Sequence, residues 1–491
     1  MPLPDLIEIV PLDKPVRAEI TVPGSKSITN RALVLAALAE GETTLKGALW
    51  SEDTQVMVEC LQDLGFMVNV APDPDETCNR TITVYGLGGK VPRGGTEAQP
   101  MELFVGNAGT AARFLAAMVC LGEGVYRLHG VPRMHERPQA ALFQALRELG
   151  YRIDSGSDRL PALVNGGGAK QGAKCSVSIE ESSQFASALL LGAKVGGWAL
   201  QVTGENAEES PYVSMTTELI KAFPNMGGSF QIEPDASSGS YFWAAGWMTS
   251  IPKTTEQRTK DGVTISIPIG VEYDVVVLEL KDGKHKARVP TRDEDRGLLF
   301  VRVTNWPRSG WQIDSKFPQF LPLPDTLSRL SQLGDSIMTS IVVASDEDAG
   351  RDWQERDSGS GRAWSAEADR SMIQFLQLGR LRVQECERVV ALRTELTKCG
   401  AKVIETGDTL EVFPSQLHGA TIETYNDHRM AMCFAILGLK VPGIKIKNPA
   451  CVKKTFPNFF QKLAAAPPRG LGAKILDASG RPLTHDELFA D

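Results

Sequence analysis

The sequence predicts an α/β chain of two similar domains, each built from three repeats. Three observations lead there. A module of apolar helix, short strand, amphipathic helix and strand recurs six times along the 491 residues. The second helices of three copies end at Gly65, Gly150 and Gly400, where a left-handed residue satisfies the last helical carbonyls. A β-prone run such as FMVNV or AKVIE follows those glycines. Units of roughly 55–100 residues are too large for a solenoid, so three per domain is the natural division.

The copies can be followed in order. The first runs from Thr29-Asn30-Arg31 through ALVLAALAEG and TTLKGAL to SEDTQVMVECLQDLG. The second opens at Asn107-Ala108-Gly109-Thr110 and reaches RPQAALFQALRELG; the third opens at Ser182-Ser183-Gln184 and reaches SPYVSMTTELIKAF. Asp235-Ala236-Ser237-Ser238, Asp335-Ser336-Ile337 and Asn426-Asp427-His428-Arg429 open the other three. The expected division is an N-terminal strand segment, 1–24, that joins the C-terminal domain, then domains at 25–235 and 236–466. Residues 467–491, beginning PPRGLG after Ala466, read as a peripheral tail. Two stretches break the module. Residues 250–299 carry β-like runs and read as an inserted hairpin or small subdomain, and 345–371 read as a long polar surface loop.

Composition narrows the function. With 42% hydrophobic and 23% charged residues, the chain is an ordinary globular protein. A net charge of -8 without a basic stripe argues against a nucleic-acid partner, so an anionic ligand needs a local cluster of cations. Eight cysteines stand singly with no CxxC pair, which excludes a zinc framework and leaves no metal expected. No apolar run is long enough to span a membrane, and the N-terminus lacks signal-peptide character. A cytoplasmic, monomeric enzyme is expected.

The strongest local signal is PGSKSITNRAL. Ser25, Lys26 and Ser27 fall at a helix N-terminus, whose free N–H groups and dipole favour an anion, and Arg31 follows one turn on. Asn107, Gly109 and Thr110 stand at the equivalent place in copy two, with Arg113 inside the helix. Ser182, Ser183 and Gln184 do so in copy three, and Asp427, His428 and Arg429 in copy six. Helix starts of this kind, converging from two domains, would bind a multiply charged anion in a cleft. Further cations stand at Arg133, Arg137, Arg382, Arg388, Lys453 and Lys454, among the carboxylates Asp335, Glu385 and Glu387. The plain alternative for Glu385 is a helical ion pair with Arg388, three residues on. NGGGAKQGAK lacks the GK[ST] of a P-loop, and no HExxH is present. Tyr241-Phe242-Trp243 reads as core.

PGSKSITNRAL, LFVGNAGTAARFLAA, GVPRMHERP, SSQFASALL, DASSGSYF, GDSIMT, ECERVVALRTELTKCGA, YNDHRMAM and KKTFPNFF occur in this order. In series they closely resemble the 5-enolpyruvylshikimate-3-phosphate synthase family of enolpyruvyl transferases. The resemblance implies two inside-out domains, each of three βαβαββ repeats, with insertions in the C-terminal one. It also implies transfer of an enolpyruvyl group from phosphoenolpyruvate to shikimate 3-phosphate, with no cofactor. By resemblance, Lys26, Ser27, Arg31, Ser182, Ser183, Gln184, Ser210, Asp335 and the Gln384 position meet shikimate 3-phosphate. Lys26, Gly109, Arg137, Gln184, Arg388, Arg429 and Lys454 meet phosphoenolpyruvate. Asp335 resembles the proton acceptor, Glu385 the proton donor, and Lys26 touches both substrates.

The chain departs from that pattern in places. Gln384 stands where the family usually has Lys, Arg380 where it has Asn, Glu387 where it has Asp, and Phe114 where a Pro often follows the Arg of NAGTAxR. Arg380 is in phase with Gln384 and is the expected replacement cation. Two other readings compete. UDP-N-acetylglucosamine enolpyruvyl transferases typically carry Lys-Asn in the first motif and a loop Cys, both missing here. A catalytically impaired anion-binding paralogue is suggested by Gln384.

Overall fold

The computed structural model describes residues 3–204, 210–250, 255–260, 263–268, 276–279, 286–289, 301–347 and 372–490. Its centre is two trios of buried helices. The first trio is α1 (Lys26–Leu38), α2 (Gly109–Val119) and α3 (Gln184–Gly196). The second is α4 (Ala236–Ser250), α5 (Ile337–Ala344) and α6 (His428–Gly438). Each is rich in Ala, Leu, Val or Met over most of its surface rather than along one stripe, and such helices are stable only when enclosed. The members of each trio pack against one another, and each trio lies within its own hydrophobic core. Sheets and amphipathic helices surround them, which gives the inside-out arrangement.

In the first half, Glu40–Leu49, Asn79–Leu87 and Met67–Pro72 form a sheet completed by Gly228–Gln231. Met101–Phe104, Glu123–His129, Ala162–Gly167 and Arg152–Asp154 form the second sheet. Lys174–Ser178 pairs in parallel with Ala199–Thr203. The second half repeats this scheme. Thr326–Ser328 and Ile373–Leu376 run parallel, and Thr409–Phe413 and Lys402–Thr406 extend that sheet. Alternation sets its inner face: Leu410 and Val412 are buried between half-buried neighbours. The outer helices Glu52–Asp63, Ala140–Glu148 and Arg388–Lys398 are followed by Gly65, Gly150 and Gly400 at φ of 92°, 91° and 92°.

The N-terminal strand Leu6–Ile9 lies between Ile444–Lys447 and Ile475–Asp477, with Ile7 and Ile9 buried. The stretch 467–491, read from sequence as a peripheral tail, is therefore corrected. It adds an edge strand and buries Leu471, Ala473, Ile475, Leu488 and Ala490 in the second core. The sequence reading gave weight to its PPRGLG start and too little to the apolar residues beyond. The chain passes between halves at Gly24 and Pro234, which form a bridge. A side chain at Gly24 would sit 2.0 Å from the carbonyl oxygen of Gly47, so only glycine fits this crossing. Within 250–299, two antiparallel hairpins are described, Thr255–Lys260 with Val263–Pro268 and Val276–Glu279 with Lys286–Val289. Of the loop expected at 345–371, the part from 348 onward lies outside the described residues.

Candidate active site

Helix starts from both halves open on one cavity of about 120 Å³. From the first half, Lys26, Ser27 and Arg31 of α1 reach it, as do Ser182, Ser183 and Gln184 at the start of α3. Arg137 lines it from the turn after the short helix Pro132–Glu136. From the second half come Asp335, at the entry to α5, and Gln384, Glu385 and Arg388, at the start of the outer helix. Arg429, in the first turn of α6, also lines it. Gly109, Ser210 and Lys454 lie behind this lining rather than in it. A side chain on Gly109 would meet the Arg137 guanidinium at 2.6 Å, and Lys454 Nζ is 3.3 Å from Glu385. Ser210 is buried, two residues before the cavity-lining Tyr212.

Eight cationic side chains line this space. Such a concentration persists only because carboxylates are interleaved with it. Lys26 pairs with the nearly buried Asp53 at 2.9 Å. Asp335 takes Arg329 at 2.7 Å on one oxygen, and Arg429 at 3.4 Å and Arg388 at 3.7 Å on the other. Glu385 takes Arg388 at 2.8 Å and Lys454 at 3.3 Å. The helical ion pair considered from sequence thus exists, yet Glu385 also faces a second cation, Lys454, from behind the cavity lining.

Burial alone would raise the Asp335 carboxyl, but Arg429, Arg329 and Arg388 outweigh it and hold the group well below the usual range. Glu385 is likewise raised by burial and more strongly lowered by Arg388, Lys454 and Arg137. Both groups are therefore ionised carboxylates within this shell of cations. His428 is pushed far below the ordinary histidine value by burial and by Lys26, Arg429 and Arg388, so its ring is neutral. Burial lowers Arg31 to about 10.

Several residues are more tightly held than their sequence setting suggested. Arg31 donates to Thr216 at 2.8 Å, Ser187 at 3.0 Å and the Ser27 carbonyl at 2.9 Å, and its guanidinium lies 5.2 Å over the Phe114 ring. Phe114 is thus a buried support for a cavity cation. Gln384 accepts from Arg388 Nη1, so its amide braces an arginine where a lysine was expected. Glu387 caps the outer helix through the Val390 N–H and pairs with Arg382, away from the cavity lining. Asp53, Arg329 and Asp314 were missed in the sequence. Asp53 lies in a helix-start motif that already explained it, whereas Arg329 and Asp314 lie outside every recognised motif.

Among the described residues no group of His, Cys, Asp and Glu is arranged to hold a metal ion, and no helix is long and apolar enough to cross a membrane.

The family model for EPSP synthase (3-phosphoshikimate 1-carboxyvinyltransferase) matches residues 11–225 and 372–463. A 3-phosphoshikimate 1-carboxyvinyltransferase of Trichormus variabilis is 33% identical over 480 residues, 93% of this chain and 98% of that protein. One of Opitutus terrae is 34% identical over 501 residues, 94% of this chain and 98% of its own. Among solved structures, an EPSP synthase from Acinetobacter baumannii superposes with a TM-score of 0.57 at 19% identity, covering 96% of this chain and 100% of that one. The enolpyruvyl transferase NikO from Streptomyces tendae gives 0.54 at 16%, covering 99% and 100%. These structures share the fold, and the sequence matches extend over most of the chain. The chain belongs to the EPSP synthase (3-phosphoshikimate 1-carboxyvinyltransferase) family.

Proposed function

We propose that this protein transfers the enolpyruvyl group of phosphoenolpyruvate to the 5-hydroxyl of shikimate 3-phosphate, releasing phosphate. The observation that carries the reading is a single cavity in which Arg388 faces both Asp335 and Glu385 within a shell of cations. Two phosphates and two carboxylates repel one another, and only such a shell offsets that repulsion at close range. Ser27 and Arg31 hold the shikimate carboxylate side, and Ser182, Ser183, Gln184 and Ser210 its phosphate and ring, with Arg380 beside the Gln384 position. Gly109, Arg137, Arg388, Arg429 and Lys454 hold phosphoenolpyruvate, and Lys26 and Gln184 touch both substrates.

Asp335 takes the proton of the 5-hydroxyl as its oxygen bonds to carbon 2 of phosphoenolpyruvate, and Glu385 delivers a proton to carbon 3. The tetrahedral intermediate then loses phosphate from carbon 2 and a proton from its new methyl, carbon 3, back to Glu385, which restores the double bond, while the proton held by Asp335 leaves with the phosphate. Glu385 needs a proton that Arg388, Lys454 and Arg137 disfavour. Phosphoenolpyruvate supplies the remedy: its anionic groups neutralise Arg388, Arg137 and Lys454, the cations that depress Glu385, so the carboxyl rises on binding. Proton transfer in a closed, dry site follows.

In this reading the units 25–235 and 236–466 are the two bodies that meet on substrate, and one chain completes the cavity, consistent with a monomer. We place the enzyme in the cytoplasm with its small anionic substrates. The test is phosphate release from shikimate 3-phosphate and phosphoenolpyruvate, with UDP-N-acetylglucosamine as control acceptor. Release with the former acceptor alone supports the reading. Stoichiometric binding without release supports the impaired paralogue, and release with the sugar nucleotide overturns both.

A further inference from the structure

We propose that Arg329 is a ligand of the shikimate 3-phosphate phosphate and, with Arg380, supplies the positive charge that Gln384 lacks. The assignment rests on the substrate reading above. Its basis is how the fold delivers these two residues. Strands Thr326–Ser328 and Ile373–Leu376 run parallel with Ser328 opposite Leu376, so their ends lie side by side. The chain turns sharply after the second strand. Gln377 adopts φ of 60°, and Ser328 Oγ donates to its side-chain oxygen at 2.5 Å. The Arg329 N–H donates to the Leu376 carbonyl at 3.2 Å, which fixes Arg329 at the end of its strand. The turn Gly379–Val383 then brings Arg380 to the same cavity wall.

Two guanidiniums on one wall repel unless an anion lies between them. Arg329 is 95% buried, being 5% exposed, and only one edge of it is engaged by Asp335. Its Nε, buried in the cavity wall, has no hydrogen-bond partner among the described residues. An unpaired donor on a buried cation is costly, so the guanidinium, which lines the cavity, keeps hydrogen-bonding capacity that Asp335 does not fill. The first half identifies that ligand. Arg380 donates to the Ile179 carbonyl at 2.5 Å, three residues before Ser182, so the pair faces the serine end of the cavity. Ser182 and Ser183 line that end, and Ser210 lies behind them with its buried Oγ unpartnered among the described residues. Two guanidiniums opposite serine hydroxyls suit a phosphate dianion better than a lone carboxylate. Gln384 brings no charge to it: its side-chain oxygen accepts from Arg388, and its amide N–H is a neutral donor.

The test compares dissociation constants of shikimate 3-phosphate and of shikimate, which lacks the phosphate, for the full chain and its variants. Arg329→Met should weaken shikimate 3-phosphate by roughly ten- to a hundred-fold, as for loss of a charge-assisted contact, and change shikimate by less than about threefold. Arg329→Met/Gln384→Lys should recover most of that loss, since a lysine there restores the charge. Should Arg329→Met not fold, Arg329→Lys gives the same test: a smaller loss confined to the phosphorylated ligand. Equal weakening of both ligands, in either variant, would show that Arg329 only positions Asp335 and would overturn the proposal. So would unchanged shikimate 3-phosphate binding. If the unmodified chain binds shikimate 3-phosphate no better than shikimate, the substrate reading itself falls, and this assignment with it.

Discussion

Arg388 Nε lies 2.7 Å from Asp427 Oδ2, and both side chains are almost wholly buried. A second contact, Nη2 to Asp427 Oδ1 at 3.2 Å, makes the pair two-pronged and fixes the plane of the guanidinium. Asp427 is itself pinned as the N-cap of α6, accepting the Arg429 N–H at 2.8 Å. The remaining edge of Arg388 is thereby aimed at Glu385 and Asp335. One helix cap thus orients the cation that both carboxylates share.

Asp427→Asn keeps the shape and the cap but removes the charge that Arg388 needs. Breaking a buried pair in this way costs about 3–5 kcal/mol of stability. Urea unfolding should show that loss, and the Michaelis constant for phosphoenolpyruvate should rise at least tenfold. Shikimate 3-phosphate affinity should change much less. A variant with native stability would mean that Glu385 and Asp335 alone hold Arg388.

Asp335→Asn and Glu385→Gln should each lower turnover by about 10²–10⁴-fold with little change in substrate binding. Both substitutions conserve shape and abolish proton transfer. Single-turnover measurements with saturating substrates separate chemistry from binding; a loss of only a few-fold would leave these carboxylates as structural partners of Arg388.

Gly109→Ala should act on phosphoenolpyruvate alone. The added carbon would lie 2.6 Å from both the Arg137 and Arg113 guanidiniums, which are flexible ends that can shift without unfolding the helix. The cost then falls on the ligand that Arg137 holds. A Michaelis constant for phosphoenolpyruvate raised about tenfold, with shikimate 3-phosphate unchanged, is the expected outcome.

How far the site was legible follows from the range of the interactions. Lys26, Ser27, Ser182, Ser183 and Arg429 stand out because helix-start chemistry is local, readable within four residues. Asp53, Asp427 as an anchor, and Arg329 were hidden for the opposite reason. Their partners lie 27, 39 and 6 residues away, and nothing in the intervening sequence marks the pairing. The six-module fold was legible because the same apolar helix recurs. The tail strand was not, because Ile475–Asp477 is only three residues long and gains its meaning from pairing with Leu6–Ile9.

His428 makes stability fall with acid. Its folded-state value lies well below the ordinary 6.5, chiefly through burial, so the unfolded chain binds a proton that the native ring refuses. Stability is therefore full above about pH 6.5 and declines as pH drops, by at most about 1.4 kcal/mol per unit. His428→Gln should flatten thermal unfolding midpoints between pH 7 and pH 5. An equal slope in variant and parent would show that other groups dominate this window.

Shikimate 3-phosphate alone should contract the molecule. The cavity is closed by contacts between halves: Arg380 to the Ile179 carbonyl, Arg133 to the Gln384 carbonyl at 3.0 Å, and Lys454 to the Asn107 carbonyl at 3.3 Å. These are a few charged hydrogen bonds to backbone, each worth about 1.5–3 kcal/mol, and the cations making them repel one another. At the Gly24 crossing the halves are tied differently. There, Glu76 is buried and accepts from Asn458 at 2.8 Å and Lys462 at 2.6 Å, a paired and self-sufficient cluster. A substrate phosphate relieves the repulsion at the cavity but changes nothing at Glu76, so the cavity side should open and close about a fixed crossing. Small-angle scattering should show a smaller radius of gyration with shikimate 3-phosphate. Arg133→Ala should reduce that contraction, because it removes a mouth contact without touching the cavity lining. An unchanged radius in the parent chain would mean that the halves are already closed without ligand.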